Sequence, residues 1–204
     1  MISAGLQGLL LGGSMIMPIG AQNAYILNQG IKRNHHLMTA SICILCDVVL
    51  ILTGVFGAGA LFAMNSHLLT AITLAGVLFL TVYAGFSFRS AWRYSYGKTE
   101  LNKVKKNRKK VVLATLAVTL LNPHVYLDTV VILGSVGNQF SGSDRIAFAV
   151  GTLCASTLWC YGLAMSAAKF SVWLNQPKVQ RAIDITVGCI MLIIAYNLMQ
   201  TITI

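Results

Sequence analysis

This chain is short of charge, and shortest of acid. Charged residues make up 10% of its 204 positions, against about 25% in a soluble domain. Only five are acidic: Asp47, Glu100, Asp128, Asp144 and Asp184. Such a composition argues against a soluble globular fold. Cysteine is missing from the polar segments. Cys43, Cys46, Cys154, Cys160 and Cys189 all fall inside apolar stretches, which excludes a secreted disulfide framework. No basic n-region precedes the first apolar run and no small-x-small site follows a short apolar core, so a cleaved leader is not expected. No aromatic-studded basic surface of useful size exists outside the apolar runs, so the net charge of +10 does not point to nucleic acid.

What the chain does contain is hydrocarbon, at 56% of its residues. Six apolar runs follow one another at even spacing: Ile2–Leu27, Leu37–Met64, Leu68–Phe88, Val111–Val136, Ile146–Ala168 and Ile183–Ile204. Each reaches the roughly 20 residues needed to cross a bilayer core as a helix. In lipid each segment must satisfy its own backbone groups, which favours helices. The expected fold is an all-α membrane protein of six transmembrane helices forming one domain over residues 1–204. Fourteen of the fifteen basic residues lie between runs one and two (Lys32, Arg33), three and four (residues 89–110), and five and six (Lys169, Lys178, Arg181); Arg145 alone lies on the other side. The positive-inside rule places the basic loops in the cytoplasm and both termini outside. A break at Pro18–Gly20 leaves a second solution open, in which the first run is re-entrant and five spans remain.

That break lies in "PIGAQNAYILNQG", Pro18 to Gly30, where a proline, glycines and amides interrupt the first run. The fourth run carries a similar interruption, "LNPHVYLDTVVILGSVG", Leu121 to Gly137. Placing Pro123 over Pro18 gives an offset of 105 residues and sets Asn23 over Asp128. The expectation is two inverted three-helix repeats, 1–88 and 111–204, joined by a basic cytoplasmic loop at 89–110, with broken first and fourth helices. Proline removes a backbone donor, and such breaks are tolerated at membrane depth only where the backbone faces protein or a water-filled cavity.

Two carboxylates sit deep in apolar runs, Asp47 in the second and Asp128 in the fourth, with no Lys or Arg at those depths in their own spans. An Asp at a helix centre costs roughly 2.5–3.5 kcal/mol on insertion scales, so both are expected to face an interior site. Asp144 and Asp184 lie nearer span ends, beside Arg145 and Arg181, and are expected to be interfacial. The deep acids would attract a cationic group, while Gln22, Asn23, Asn122 and N–H groups freed by the breaks suit an anionic one. An amino acid with a basic side chain carries both. A metal ion or a proton would satisfy the acids as well.

The stretches "PIGAQNAYILNQG", "CDVVLILTGVFG", "LNPHVYLDTVVILGS" and "VGCIMLIIA" resemble the lysine exporter (LysE) family over nearly the whole chain. The resemblance implies a transporter, with no enzyme activity and no cofactor. It implies export of basic amino acids, L-arginine first and lysine or relatives after it, across a bacterial inner membrane, driven by proton or membrane potential. Gln22 and Asn23 match the family's glutamine–asparagine pair, Asp47 its second-span aspartate, and Asn122, Pro123 and Asp128 its NP…D element. Ala21 departs from the pattern, which has a second proline there; Pro18 and Gly20 are left to bend the chain.

Three other features compete. His124, Asp128 and Asp47 offer ligands for a divalent-metal exporter. Cys43 and Cys46 have the C-x-x-C spacing of a thiol–disulfide carrier, although the repeat offset maps them to Phe148 and Gly151. Gly8 and Gly12 have the G-x-x-x-G spacing that lets helices approach closely, within one subunit or in a homo-oligomer.

Overall fold

A computed structural model describes residues 1–18, 20–57, 66–95, 107–171 and 176–203. Residues 96–106 of the expected basic loop, and His67 and His124 as side chains, lie outside the described residues. Among the described residues the chain is helical, with no strand. In order come α1 (Ile2–Ile16), α2 (Ala21–Ile31), α3 (His36–Val55), α4 (Ser66–Ser95), α5 (Arg108–Leu120), α6 (Pro123–Tyr126), a π-helical segment (Leu127–Ile132), α7 (Leu133–Gly137), α8 (Gly142–Lys169) and α9 (Pro177–Thr203).

Three described helices are long and apolar enough to cross a membrane, namely α3, Leu74–Trp92 within α4, and α8. The pair α1–α2, bent by 79°, makes a fourth if counted as one span. The sixth apolar run falls on α9, 27 residues long. The fourth run is not a single helix: it divides into α5, α6, the π segment and α7.

The helices are built inside out. Large side chains point outward, among them Leu10 on α1, Leu45 on α3, Phe86 on α4 and Leu158 on α8. Small residues line the closest helix crossings, because lipid tails are as apolar as leucine and close backbone approach holds helices together. Phe148, Ile26, Ile51, Leu80, Leu133 and Met191 fill the space between them. The hub is α8, whose buried stripe runs Phe148, Gly151, Thr152, Ala155, Ser156, Cys160, Ala164 and Ala167. A Cβ on Gly8 would fall 2.1 Å from the Phe148 carbonyl oxygen, and one on Gly151 would fall 2.0 Å from that of Gly5. The G-x-x-x-G pair therefore packs α1 against α8 within this chain. Gly54 on α3 and Gly134 on α7 meet in the same way, a Cβ on Gly134 falling 2.7 Å from the Gly54 oxygen. Helices α4 and α9 pack chiefly on each other and share a buried core with α2 and α5, through Tyr25, Leu80, Val118 and Met191 among others.

The length of α8 serves as a ruler. At its first turn Asp144 pairs with the Met1 ammonium, and Arg145 donates to the Val55 carbonyl and to Asn138 with its guanidinium 5.2 Å from the Phe56 ring centroid. At its last turn Arg33 donates to the Ala168 carbonyl at 3.2 Å and to Ser171 Oγ at 2.7 Å. Those turns lie roughly 36 Å apart at 1.5 Å per residue. The two ends of α1–α2 thus lie at opposite ends of the bundle, with Lys32, Arg33, Lys169 and the start of α9 at one and Met1 at the other. Asp144 therefore does not pair with Arg145, since adjacent helical residues do not face each other. Nor is Asp184 at a solvated interface: it is 1% exposed, accepts from Ser90 Oγ at 2.6 Å and lies 3.7 Å from Lys32 Nζ.

Candidate functional site

The first break runs from Met17 to Gly20. Pro18 follows α1 by two residues, and Gly20, extended at φ −100° and ψ −174°, starts α2. Helix ends leave carbonyls without partners, and here a side chain supplies donors. Asn23 Nδ2 donates to the Ile16 carbonyl at 2.7 Å and to the Pro18 carbonyl at 2.8 Å. Its Oδ1 accepts from Trp159 Nε1 at 3.3 Å, which ties the break to α8.

The second break, at Leu121–Asn122, is closed in a parallel way. Tyr126 Oη donates to the Leu120 carbonyl at 2.8 Å, and Val125 N donates to the Asn122 carbonyl at 3.1 Å. Pro123 then opens α6, the helical position where a missing N–H costs least. One turn on, the backbone widens into the π segment, in which Leu133 N bonds the Asp128 carbonyl. π-helical turns are rare and are frequently found at functional sites. In the task of closing a break, the counterpart of Asn23 is Tyr126. Asn23 is the third residue of its resumed helix and Asp128 the sixth of its own, so the offset of 105 does not place them at equivalent steps.

On α3 the buried face recurs at Thr39, Cys43, Cys46, Asp47, Leu50, Ile51 and Gly54. This spacing of three and four carries Asp47 inward, where it is 3% exposed. Ser156 Oγ on α8 donates to Asp47 Oδ2 at 2.5 Å, and Gln22 lines the same cavity as this carboxyl. The two cysteines belong to the same stripe. Cys43 is buried with its sulfur 3.7 Å from Thr119 Oγ1, and both thiols are free.

The structure brings nearly all of the sequence candidates around one cavity of about 240 Å³. Pro18, Gly20, Gln22 and Asn23 line it from the first break, Asp47 from α3, and Asn122 and Asp128 from the second. Thr129, Leu133 and Ile194 are among the others. Pro123 shapes the second break from the first position of α6. The volume lies below the roughly 300–1,000 Å³ of drug-sized clefts and suits a ligand of amino-acid size. Two carboxylates line it, and the N-terminus of α2, the positive end of a helix dipole, opens beside Gln22. Among the described residues no group of three His, Cys, Asp or Glu side chains could hold a metal ion.

Ser156, Trp159 and the burial of Asp184 were missed by reasoning from sequence. A serine in an apolar span carries little signal, because such residues usually bond their own helix four residues back, as Thr115 and Thr157 do here.

A family model described as LysE type translocator matches residues 13–201. Among curated proteins, a putative amino-acid transporter, YggA, of Aeromonas salmonicida is 50% identical over 198 residues, covering 97% of this chain and 96% of that one. The arginine exporter protein ArgO of Pectobacterium carotovorum is 46% identical over 198 residues, 97% of each chain. ArgO of Escherichia coli is 45% identical over 198 residues, 97% of this chain and 94% of that one. No solved structure matches. With the family model spanning nearly the whole chain and relatives aligned almost end to end, this multi-pass membrane protein belongs to the LysE family of translocators.

Proposed function

We propose that this protein exports L-arginine, and with it lysine or related basic amino acids, from the bacterial cytoplasm by alternating access. The observation that carries the reading is the meeting of Asp47 and Asp128 on one cavity beside two helix breaks. The guanidinium of arginine, planar and always charged, pairs with Asp47, Asp128 or both. The substrate's carboxylate meets Gln22, Asn122 and the N–H groups at the start of α2. Ser156 steadies the Asp47 carboxyl from α8. Proton uptake on an aspartate, or the membrane potential acting on the cationic cargo, supplies the drive. The relatives named arginine exporters support the choice of arginine.

The same reading takes the bent pair α1–α2 as one crossing and the segmented fourth run as another, giving six spans in two inverted halves. Its support is reciprocal packing. The broken helices α1 and α2 lie on α8 of the second half, and the broken segment of the second half lies on α3 of the first, both through close glycine contacts. Basic loops face the cytoplasm by the positive-inside rule.

Arginine efflux from loaded cells tests the site, comparing wild type with Asp47→Asn and Asp128→Asn at equal membrane abundance. Each change removes a charge-assisted contact worth about 1.5–3 kcal/mol, so efflux is expected to fall by about tenfold or more. Normal export by both variants would discard the charged-site mechanism.

A further inference from the structure

Asp184 has no place in the site just described, yet it is buried and lies on a different helix from its cationic neighbour Lys32. Its carboxylate is on α9 and its Ser90 donor on α4, within the α4–α9 pair. Lys32 sits at the C-terminal cap of α2, the broken helix that lines the cavity. The two residues stand in line with that cavity. Along α9, Ile194 lines the cavity, Met191 and Val187 fill a buried apolar plug, and Asp184 follows toward the basic-loop end. Along α2 the same order reads Gln22, then Tyr25 in the plug, then Asn28, then Lys32. Tyr25 and Asn28 both meet Tyr83 of α4, the rings 5.8 Å apart and Asn28 Nδ2 donating to Tyr83 Oη at 3.4 Å.

We propose that Asp184 is a second cation site on the transport path, occupied here by Lys32 and ceded to the cationic side chain of the amino acid arriving from the basic-loop side. The proposal rests on the export reading above. Lys32 Nζ lies 3.7 Å from Asp184 Oδ1, close enough for Coulomb attraction and too far for a hydrogen bond. A guanidinium, with paired donors in a rigid fork, satisfies a carboxylate better than an ammonium at that distance. Exchange leaves no charge stranded: Lys32, 29% exposed at its side chain, turns to water as the substrate takes its place. A bare buried carboxylate would be costly, so Lys32 acts as a stand-in that keeps the empty carrier closed. Because Lys32 is on α2 and Asp184 on α9, displacing the lysine also removes one tie between the cavity-lining broken helix and the α4–α9 pair.

The test is uptake of labelled arginine into inside-out membrane vesicles, with the half-saturating concentration measured for each variant at equal abundance. Asp184→Asn, isosteric and still able to accept from Ser90, is expected to raise that concentration about tenfold or more, as for loss of a charge-assisted contact. Lys32→Gln removes the competing cation and is expected to lower it about threefold, the gain from freeing a self-occupied site. Lys32→Arg competes more strongly and is expected to raise it, which keeps the test decisive should Lys32→Gln fail to accumulate. Opposite shifts for Lys32→Gln and Asp184→Asn mark a substrate site. Shifts in the same direction reduce the pair to a structural latch and overturn the proposal, as does an unchanged value for Asp184→Asn. Absence of arginine uptake by wild type would instead sink the export reading itself.

Discussion

Asn23 illustrates why a residue that reads as a ligand in sequence does something else first. Both hydrogens of its amide are engaged with carbonyls left open by the first break, and its oxygen holds Trp159. Asn23→Ala strands the Ile16 and Pro18 carbonyls at membrane depth. At about 1–3 kcal/mol for a buried group left without a partner, a clear fall in thermal stability of the purified protein is expected. Asn23→Asp should be as damaging, since a carboxylate accepts and does not donate; wild-type stability in that variant would show that the donors are not what holds the break. Cys43 and Cys46 make the opposite case. Their spacing follows from the buried face of α3, where positions three apart point the same way. The double variant Cys43→Ser/Cys46→Ser is therefore expected to retain arginine export, and complete loss of efflux with normal abundance would revive a redox role.

Helices approach here through backbone contact, so glycine matters at particular crossings and not at others. Gly8→Ala and Gly151→Ala each place a Cβ about 2 Å from a carbonyl oxygen of the facing helix, well inside van der Waals contact. Separating α1 from α8 to make room is an overpacking event of typically 1–3 kcal/mol, and the expected readout is reduced abundance and a lower melting temperature in detergent. Gly162→Ala, which meets nothing within 4 Å, is the matched control and should behave as wild type. Equal stability in all three would contradict the close packing of α1 on α8. The π segment belongs to the same scale: Leu127–Ile132 wraps with one residue more per hydrogen bond than an α-helix, which resets the direction of Asp128 relative to Pro123. No periodicity in the sequence announces that step.

For the whole molecule, the arrangement of ends makes a topological prediction. In a cysteine-free background, single cysteines at Ser3 and Gln139, both exposed, are expected to react with an impermeant thiol reagent in intact cells. One at Asn107, exposed at the basic end, should react only after permeabilisation. Labelling of Gln139 without Ser3 would put the N-terminus on the basic side and make the first run re-entrant.

Much of the candidate site was legible in the chain itself. Pro18, Gly20, Gln22, Asn23, Asp47, Asn122 and Asp128 all reach one cavity, because breaks and acids in an apolar run are too costly to face lipid. Composition alone determined a helical membrane protein, for the same reason that hydrocarbon offers the backbone no partners. Only the tertiary structure decided that Asn23 and Tyr126 close the breaks, that Ser156 attends Asp47, and that Lys32 covers Asp184. Those pairings join residues on helices distant in sequence or across a break, and helix packing, not local pattern, sets which faces meet.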